Sequence, residues 1–366
     1  MLVIIGSGLA GYSVAKEWRK TEKTKSLVII TQDDGHYYSK PLLSTAISQS
    51  KSSADLVMTS VETLRTQLNA TIHTFSSVLN IDPRSRVISV QTPEGVIDLP
   101  YSHCVLAMGA RPKPFPLLEN RKDHYRINSL QDYARFMSDF DQYETLSIIG
   151  SGLVGTEFAH DFSHKKIPVQ VFTPDPYPLY RFVPEAIGCQ LQSVLRDKGI
   201  EFHTKVNSFS LEAKTTRAIL TAIGLQPNIE IAEKAGIEVN RGIKVDAYLR
   251  TSVTDIYALG DCAEIEGKCY QFIAPLLHCA QSLAKTLCDQ PTSIALPPMA
   301  ITLKVGSYPI ITLPPCDQEK GEWVIEQKDQ DFKALFYNTE EKLCGYSLSG
   351  SFREERQQCL ARFAAK

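Results

Sequence analysis

Two segments of the chain repeat one pattern, in which an apolar run leads into a G-x-G-x-x-G turn and then into a helical periodicity. They cover residues 2–18 (LVIIGSGLAGYSVAKEW) and 146–162 (LSIIGSGLVGTEFAHDF). A second apolar run follows each segment, at 27–31 and at 169–173. Strand, turn, helix and strand in this order form a right-handed βαβ unit. The repeat therefore predicts two separate α/β units in one chain.

The glycines of the repeated turn have distinct physical roles. The first allows a tight turn, the second lets backbone N–H groups approach a pyrophosphate, and the third lets the helix pack closely on the strand. The partial positive charge at the helix N-terminus then favours the phosphates. One such turn is weak evidence, because glycine-rich turns are common, but two copies that each open a helix predict two dinucleotide sites. These glycines are Gly6, Gly8 and Gly11 in the first turn, and Gly150, Gly152 and Gly155 in the second.

Composition excludes several classes of protein. A length of 366 residues suggests two or three domains. A formal net charge of −2 gives no general attraction for nucleic acid or for an anionic membrane. No apolar run reaches the roughly 18 residues of a membrane-spanning helix. The first residues, MLVIIGSG, have no basic region and no cleavage site, so we expect a strand there and a cytoplasmic protein.

The sulfur and imidazole side chains do not suggest a metal site. The nine cysteines are scattered, and none forms a Cys-x-x-Cys pair or a spacing typical of zinc or an iron–sulfur cluster. We expect mostly reduced thiols, and Cys262 is predicted to be a packed thiol rather than a redox centre. His160 and His164 have the spacing of a metal pair on a helix, but no third ligand is evident. A solvated helix face is the favoured interpretation.

The remainder of the chain reads as strands, a helix and a separate C-terminal part. Strand-like runs at 217–227 and 251–261 precede a loop and helix at 272–289, whose first turn accommodates Pro275. Residues 291–298 contain three prolines and form a plausible linker. Beyond it, alternating runs and a charged terminal helix predict a small α+β domain. These runs are 323–327, 332–337 and 342–348, and the helix is FREERQQCLARF.

The motifs together resemble a known family, the two-dinucleotide flavoprotein reductases, and among them the rubredoxin reductases. CVLAMGARP (104–112) and TAIGLQPN (221–228) are similar to the segments that join the family's FAD and NAD domains. TSVTDIYALGDCA (251–263) resembles the FAD motif whose last Asp, here Asp261, binds the flavin ribityl chain. Three stretches are closer to rubredoxin reductases than to the wider family: DDGHYYSKPLLS (33–44), GDCAEIEG (260–267) and PMAITLKV (298–305).

This resemblance implies an α/β fold with two Rossmann-like dinucleotide-binding domains and a small α+β C-terminal domain. The implied boundaries are 1–105 and 222–296 for a discontinuous FAD-binding domain, 106–221 for the NAD-binding domain, and 297–366 for the C-terminal domain. The chain departs from the family between Phe202 and Ala218, where it is about 15–20 residues shorter than family loop patterns. Either the loop is trimmed here or the sequence given omits it.

The resemblance also assigns site residues. Lys40 should lie near flavin N5, where its charge stabilises negative charge as a hydride arrives, and Glu157 should keep that lysine charged and oriented. The family's ribose-binding acid is replaced by Thr31, so Asp33 or Asp34 is expected to take that role. NADH is expected on Gly150, Gly152, Leu153, Val154, Gly155, Thr173 and Gly224. FAD, bound non-covalently, is expected on Gly6, Ser7, Gly8, Leu9, Ala10, Gly11, Asp33, Asp34, Lys40, Pro41, Val78, Ala107, Gly109, Glu157, Asp261, Ile273 and Lys304.

The missing thiols decide between functions of the superfamily. Disulfide reductases carry a cysteine pair facing the flavin, and single-cysteine members place a Cys near the position that is here Ser39–Pro41. Without such a thiol, the resemblance implies direct transfer to an external one-electron acceptor. We expect an NADH-dependent rubredoxin reductase. The alternatives are a ferredoxin or flavorubredoxin reductase and, less favoured, a non-catalytic signalling flavoprotein.

Overall fold

The computed structural model describes residues 1–206, 217–316 and 318–364. The shortened loop expected between Phe202 and Ala218 therefore lies for the most part outside the described residues, and that prediction stays open.

The strands follow one another in chain order. They are β1 (Leu2–Ile5), β2 (Leu27–Ile30), β3 (Tyr37–Tyr38), β4 (Val57–Thr59), β5 (Thr71–His73), β6 (Ser77–Asp82), β7 (Val87–Thr92), β8 (Gly95–Pro100), β9 (His103–Leu106), β10 (Ala110–Pro112), β11 (His124–Tyr125), β12 (Thr145–Ile149), β13 (Val169–Phe172), β14 (Ile200–His203), β15 (Arg217–Thr221), β16 (Leu225–Pro227), β17 (Ile243–Val245), β18 (Ile256–Ala258), β19 (Ala263–Ile265), β20 (Ile301–Leu303), β21 (Ile310–Leu313), β22 (Gly321–Lys328), β23 (Asp331–Asn338) and β24 (Leu343–Ser349).

Helices alternate with these strands. The α-helices are α1 (Leu9–Thr21), α2 (Val61–Leu68), α3 (Leu130–Phe140), α4 (Leu153–Ser163), α5 (Glu185–Arg196), α6 (Glu230–Lys234), α7 (Ile273–Thr286) and α8 (Arg356–Ala364). Short 3-10 helices cover Lys40–Thr45, Ala54–Leu56, Pro116–Leu118, Gly260–Cys262 and Gly350–Glu355.

The chain folds as two compact units. Unit 1 contains Met1–Ser39, Val57–Arg111 and Leu225–Leu296. Unit 2 contains Lys40–Leu56, Pro112–Gly224 and Pro297–Lys366. The division into three domains implied by the family resemblance stays a prediction.

Unit 1 is built on a five-stranded sheet in the order β18-β9-β1-β2-β5, with every pairing parallel. Strand β1 is buried on both faces, which explains its uninterrupted apolar run. Leu2 and Ile4 pack in a core with residues of α1, α2 and α7, whereas Val3 and Ile5 pack in a second core with residues of β6 and β7. The sheet is thus covered on both sides, as the βαβ reading predicts.

Unit 2 contains a second parallel sheet, in the order β11-β15-β12-β13-β14. Helices α3 and α4 meet through aromatic side chains, and the rings of Phe136 and Phe162 lie 5.2 Å apart in an edge-on arrangement. The predicted helical periodicity holds for Phe158 and Phe162, which are buried. Val154 differs, because it is 49% exposed in the first turn of α4, beyond the covered part of the helix.

The C-terminal part of unit 2 is an antiparallel sheet in the order β20-β21-β24-β23-β22, followed by α8. The prediction of a small α+β C-terminal part is confirmed, and the proline-rich stretch 291–298 has no helix or strand. Within the described ranges, no helix is both long and apolar enough to cross a membrane.

Candidate dinucleotide and electron-transfer site

The first glycine turn lies between β1 and α1 and leaves no room for side chains at two of its three glycines. Gly6 has φ +112°, a conformation that favours glycine, and a Cβ there would lie 2.2 Å from the Ala107 carbonyl oxygen. A Cβ on Gly11 would lie 1.9 Å from the carbonyl oxygen of Gly6. Helix α1 therefore packs directly against the turn, as predicted from the third glycine.

The second turn, between β12 and α4, repeats this geometry in unit 2. Gly150 has φ +106°, and its Cβ would lie 2.5 Å from the Ala222 carbonyl oxygen. A Cβ on Gly155 would lie 2.0 Å from the carbonyl oxygen of Gly150. The sequence repeat is thus a structural repeat, carried by the same two close approaches of the backbone.

The middle glycine of each turn faces open space. A Cβ on Gly8 or on Gly152 would meet no protein atom within 4 Å. Both residues are helix N-caps, and neither helix has a side-chain hydrogen bond at its cap. The first N–H groups of α1 and α4 therefore point into room that a pyrophosphate can fill, with the positive end of the helix dipole behind it. The residues present fit FAD on the first turn and NADH on the second.

A hydroxyl relay links the first turn to an aspartate after β2. Ser7 Oγ donates to Thr31 Oγ1 at 2.7 Å, and Thr31 Oγ1 donates to Asp33 Oδ1 at 2.6 Å. Asp33 Oδ1 also accepts from the Gly35 N–H at 3.0 Å. Asp34 Oδ1 accepts from the N–H of His36 at 3.0 Å. These bonds fix the Asp33 carboxylate beside the glycine turn, which favours Asp33 for the ribose role left open between the two aspartates.

The same relay recurs at the second turn. Ser151 Oγ donates to Thr173 Oγ1 at 3.0 Å, and Thr173 Oγ1 donates to Asp175 Oδ2 at 3.4 Å. Asp175 also donates its N–H to Thr173 Oγ1 at 3.2 Å. Thr173, predicted as an NADH residue, is thus buried beside the turn and holds the following acid in place. Leu153 and Val154 form the first turn of α4.

Other predicted FAD residues also lie in unit 1, and two parts of that set contact the first turn or α1. Ala107 covers Gly6, and Gly109 accepts from the Asn228 N–H at 3.1 Å in a left-handed conformation. The 3-10 helix that carries Asp261 packs on α1, since a Cβ on Gly260 would lie 2.9 Å from the Cβ of Ala10. Val78 pairs with Val90 in the β6–β7 ladder, and Ile273 is the first residue of α7.

A buried carboxylate in the middle of α4 organises a second cluster, within unit 2. Glu157 is 5% exposed, and its Oε2 accepts from Ser44 Oγ at 2.6 Å and forms an ion pair with Lys304 Nζ at 3.0 Å. Its Oε1 accepts from the Lys304 N–H at 3.0 Å. Lys304 Nζ also donates to Ser44 Oγ at 3.1 Å and to the Pro41 carbonyl. Four hydrogen bonds and one ion pair therefore join α4, the 3-10 helix Lys40–Thr45 and the start of the C-terminal sheet.

The observed partners of Glu157 are Lys304 and Ser44, whereas the predicted partner was Lys40. The carboxylate that was predicted to pair with Lys40 forms an ion pair with Lys304. Whether Lys40 also approaches Glu157, and whether both lysines lie near the flavin, stays a prediction. Ser44 was not predicted, because serine after a predicted loop carries no signal of its own.

One turn along α4, Asp161 performs a similar task. It is 1% exposed, and its carboxylate accepts from the N–H groups of Ile47 at 3.0 Å and Ser48 at 2.8 Å. Glu157 and Asp161 thus hold the segment 40–48, which carries Lys40 and Pro41, against one face of the helix. An acid pair spaced by one turn on an otherwise apolar helix is the sequence signal that could have indicated this.

The interpretation of His160 as part of a solvated face is wrong. Its side chain is buried at 8% exposure, because residues 304–306 cover this side of α4 and a Cβ on Gly306 would lie 3.9 Å from its Cε1. His164 is exposed, as expected. Across the described ranges, no group of three or more metal-ligating side chains is present.

The cysteines match the prediction of reduced thiols. All nine lie among the described residues, and no disulfide joins any two of them. Cys262 is fully buried, donates weakly to the carbonyls of Leu106 and Leu259 at 3.4 Å, and has its pKa raised to about 12 by burial. A thiol this hard to ionise is a packed residue and not a nucleophile.

Comparisons with known proteins agree with this geometry. The model for pyridine nucleotide-disulphide oxidoreductases matches residues 1–284, and the model described as a rubredoxin binding C-terminal domain matches residues 293–363. The rubredoxin-NAD(+) reductase of Alcanivorax borkumensis is 35% identical over 376 residues, covering 98% of this chain and 97% of the relative. The nitric oxide reductase FlRd-NAD(+) reductase of Aliivibrio fischeri is 32% identical, with 94% and 93% covered.

A solved structure confirms the fold. The NADH:rubredoxin oxidoreductase of Clostridium acetobutylicum superposes with a TM-score of 0.87 at 23% sequence identity, covering 100% of this chain and 95% of that one. The resemblance drawn from the motifs is thus confirmed. With two glycine turns of one geometry and a family match over most of its length, the chain belongs to the pyridine nucleotide-disulphide oxidoreductase family.

Proposed function

We propose that this protein is an NADH-dependent flavoprotein reductase that passes electrons from NADH through FAD, one at a time, to rubredoxin. The observation that carries the proposal is the match of residues 293–363 to a rubredoxin-binding domain, joined to a reductase core in which no disulfide joins any two of the described cysteines. Relatives named as rubredoxin-NAD(+) reductases cover nearly the whole chain, which supports the same acceptor.

The chain's own residues divide the work. The N–H groups at the start of α1 and α4 bind the pyrophosphates of FAD and NADH. Asp33 and Asp175, fixed by their serine and threonine relays, accept hydrogen bonds from the two adenosine riboses. Asp261 anchors the ribityl chain. When bound, FAD supplies the conversion of one hydride into two single electrons, and Lys40 supplies positive charge where negative charge develops.

The Glu157 cluster is proposed to hold this charge in place. The carboxylate is buried and each of its oxygens accepts at least one hydrogen bond, so it remains oriented when the active site changes charge. Through Ser44 it fixes the 3-10 helix that begins at Lys40. We therefore assign Glu157 and Ser44 as positioning residues for Lys40 and Pro41.

A flavorubredoxin or ferredoxin reductase is the second candidate. The relative from Aliivibrio fischeri, named a nitric oxide reductase FlRd-NAD(+) reductase, favours the first of these. Rubredoxin and the rubredoxin module of a flavorubredoxin share one kind of iron centre, whereas a ferredoxin does not. A non-catalytic role is disfavoured, because the relatives that match nearly the whole chain are named as reductases.

Anaerobic stopped-flow spectroscopy tests the acceptor. The enzyme is reduced with one equivalent of NADH and then mixed with rubredoxin, with a [2Fe–2S] ferredoxin, or with a disulfide substrate. We expect rubredoxin to reoxidise the flavin at least about tenfold faster than the other two. Faster reoxidation by ferredoxin, or by the disulfide, would contradict the proposal.

NADH should be preferred over NADPH by at least about tenfold in kcat/KM. Asp175, which follows the second strand of the unit, is expected where the 2′-phosphate of NADPH would approach, and the segment 169–176 offers no arginine or lysine to bind that phosphate. Asp175→Asn should narrow the preference by raising kcat/KM for NADPH. Asp197→Asn, which removes an exposed acid after α5, is the matched control and should leave the ratio unchanged. An NADPH advantage in the wild-type enzyme would overturn this prediction.

Added salt should slow rubredoxin-dependent turnover several-fold and leave NADH-to-flavin reduction nearly unchanged. Rubredoxins are typically acidic, so docking on this weakly acidic enzyme needs local basic charge, whose reach falls as the Debye length shrinks from about 10 Å at 0.1 M to about 3 Å at 1 M. Hydride transfer inside a cleft depends much less on steering. Both half-reactions are measured across the same salt series, and an equal response would speak against an acidic protein acceptor.

A cytoplasmic location is part of the proposal, since the reaction draws on NADH. Cell fractionation with activity staining tests it, and recovery of the activity with the membrane or periplasmic fraction would contradict it.

A further inference from the structure

A cavity lies in unit 2, at the C-terminal end of α4. Its volume is about 690 Å³, within the range of small-molecule sites. It is formed by residues from the ends of α4 and α5, from the stretch 42–49, and from the loop that follows β20. The glycine turn of the NADH site is at the opposite end of α4, so this cavity is not part of that site.

The walls of this cavity carry positive and neutral polar groups. Lys198 and Lys304 contribute ammonium groups, His160 and His164 contribute imidazoles, and Gln49 and Ser307 contribute neutral donors. Among the described residues that line it, none is an aspartate or a glutamate. The two carboxylates of α4, Glu157 and Asp161, instead accept hydrogen bonds from residues 44, 47, 48 and 304. The cavity is therefore complementary to an anion.

His160 provides an independent sign that this cavity holds a ligand. The residue is 8% exposed and lines the cavity, yet its ring nitrogens form no hydrogen bond with any described residue. Neither nitrogen is among the fully enclosed polar atoms that lack a partner, so both retain surface that a ligand or water in the cavity can reach. Lys198 likewise has no ion pair within the described part of the chain. The charge of Lys198 is therefore available to a bound ligand. The rings of His160 and His164 lie beside it in the cavity wall, 5.2 Å apart and edge-on.

We propose that this cavity binds a small oxyanion of two or more charges, such as phosphate or a dicarboxylate. His160 and Lys198 bind it directly, and Lys304 forms the wall that it shares with the Glu157 cluster. The three donors of the Lys304 ammonium already serve Glu157, Ser44 and the Pro41 carbonyl, so Lys304 places the site next to the positioning cluster without binding the anion itself. The binding itself does not depend on the proposed function.

Isothermal titration calorimetry on the FAD-loaded enzyme tests the proposal. Inorganic phosphate and malonate are titrated separately, at constant ionic strength in chloride buffer and with saturating NAD⁺ to occupy the pyrophosphate site. The two arms distinguish a phosphate site from a carboxylate site. We expect saturable one-site binding of at least one of them, and no saturable binding of either would overturn the proposal.

Variants locate the site. Lys198→Gln should weaken the anion about tenfold, the effect of losing a charge-assisted hydrogen bond. Lys165→Gln is the matched control, because it removes an exposed positive charge at the same end of α4 from a residue that does not line the cavity. It should change the affinity less than about twofold. Equal weakening by both lysine variants would show diffuse surface charge instead of a site.

His160→Gln supplies a second, uncharged test. It keeps a polar side chain in the buried position and should also weaken binding several-fold, with the melting temperature checked by circular dichroism. If this variant melts early, Lys198→Gln alone decides the question, since its exposed side chain can be replaced without disturbing the core.

Discussion

Replacing Lys40 with alanine is expected to slow reduction of the flavin by NADH on the order of 10²-fold, the cost of losing one positioned charge in an electrostatic site. The family resemblance implies that Lys40 lies near flavin N5, and the structure places it at the start of the 3-10 helix that Glu157 and Asp161 hold. The pyrophosphate of NADH is expected on the second glycine turn, so the affinity of the enzyme for NADH should change little. Stopped-flow bleaching at several NADH concentrations separates the limiting rate from the affinity.

The control for this variant is Lys51→Ala, which removes an exposed lysine from the same stretch of unit 2. It should reduce at the wild-type rate. An unchanged rate of bleaching in Lys40→Ala would remove Lys40 from the mechanism, whereas an equal loss in both variants would indicate a general effect of charge.

Glu157→Gln should have a smaller effect than Lys40→Ala, since Glu157 acts through other side chains. The amide keeps the shape but has one acceptor oxygen in place of two, so it can accept from Ser44 or from the Lys304 N–H but not from both, and it leaves the Lys304 ammonium without its counter-charge. The loss should therefore appear in the limiting rate of bleaching, with little change in the NADH concentration that gives half of that rate. A purely structural role would lower the melting temperature and leave the limiting rate of the folded enzyme unchanged.

The parts of the site that could be predicted from sequence are those fixed by local backbone geometry. Gly6 and Gly150 predict their turns because few other residues tolerate the positive φ values found there. The uninterrupted apolar run of strand β1 predicts its burial. The sequence narrows the ribose-binding acid to Asp33 or Asp34, and the hydroxyl relay through Ser7 and Thr31 favours Asp33.

The parts that could not be predicted depend on contacts between distant segments. Ser44 meets Glu157 across 113 positions of sequence, and Lys304 meets it across 147. Helix periodicity places His160 on a polar face, but the loop at 304–306 that buries it comes from the C-terminal part of the chain. No local pattern encodes which segment will cover a helix face, so tertiary packing decides such positions.

The repeated turn yields a matched pair of glycine substitutions in unit 2. Gly152→Ala should fold normally, because its backbone is extended and no protein atom lies within 4 Å of the added Cβ. The methyl group would occupy the space where a pyrophosphate approaches the N–H groups of α4. Losing two charge-assisted hydrogen bonds should raise the KM for NADH on the order of 10²-fold. Flavin content and melting temperature should stay at wild-type values.

Gly155→Ala, unlike Gly152→Ala, should destabilise the fold. Its Cβ would lie 2.0 Å from the Gly150 carbonyl oxygen, so α4 must move away from β12, and overpacking of this kind costs about 1–3 kcal/mol or more. We expect a lowered melting temperature as well as weaker NADH binding. Steady-state kinetics and thermal unfolding, measured on both variants, separate the two causes. If Gly152→Ala binds NADH with wild-type affinity while remaining folded, the second turn is not the coenzyme's pyrophosphate site, because the added methyl group would occupy the space that the pyrophosphate needs.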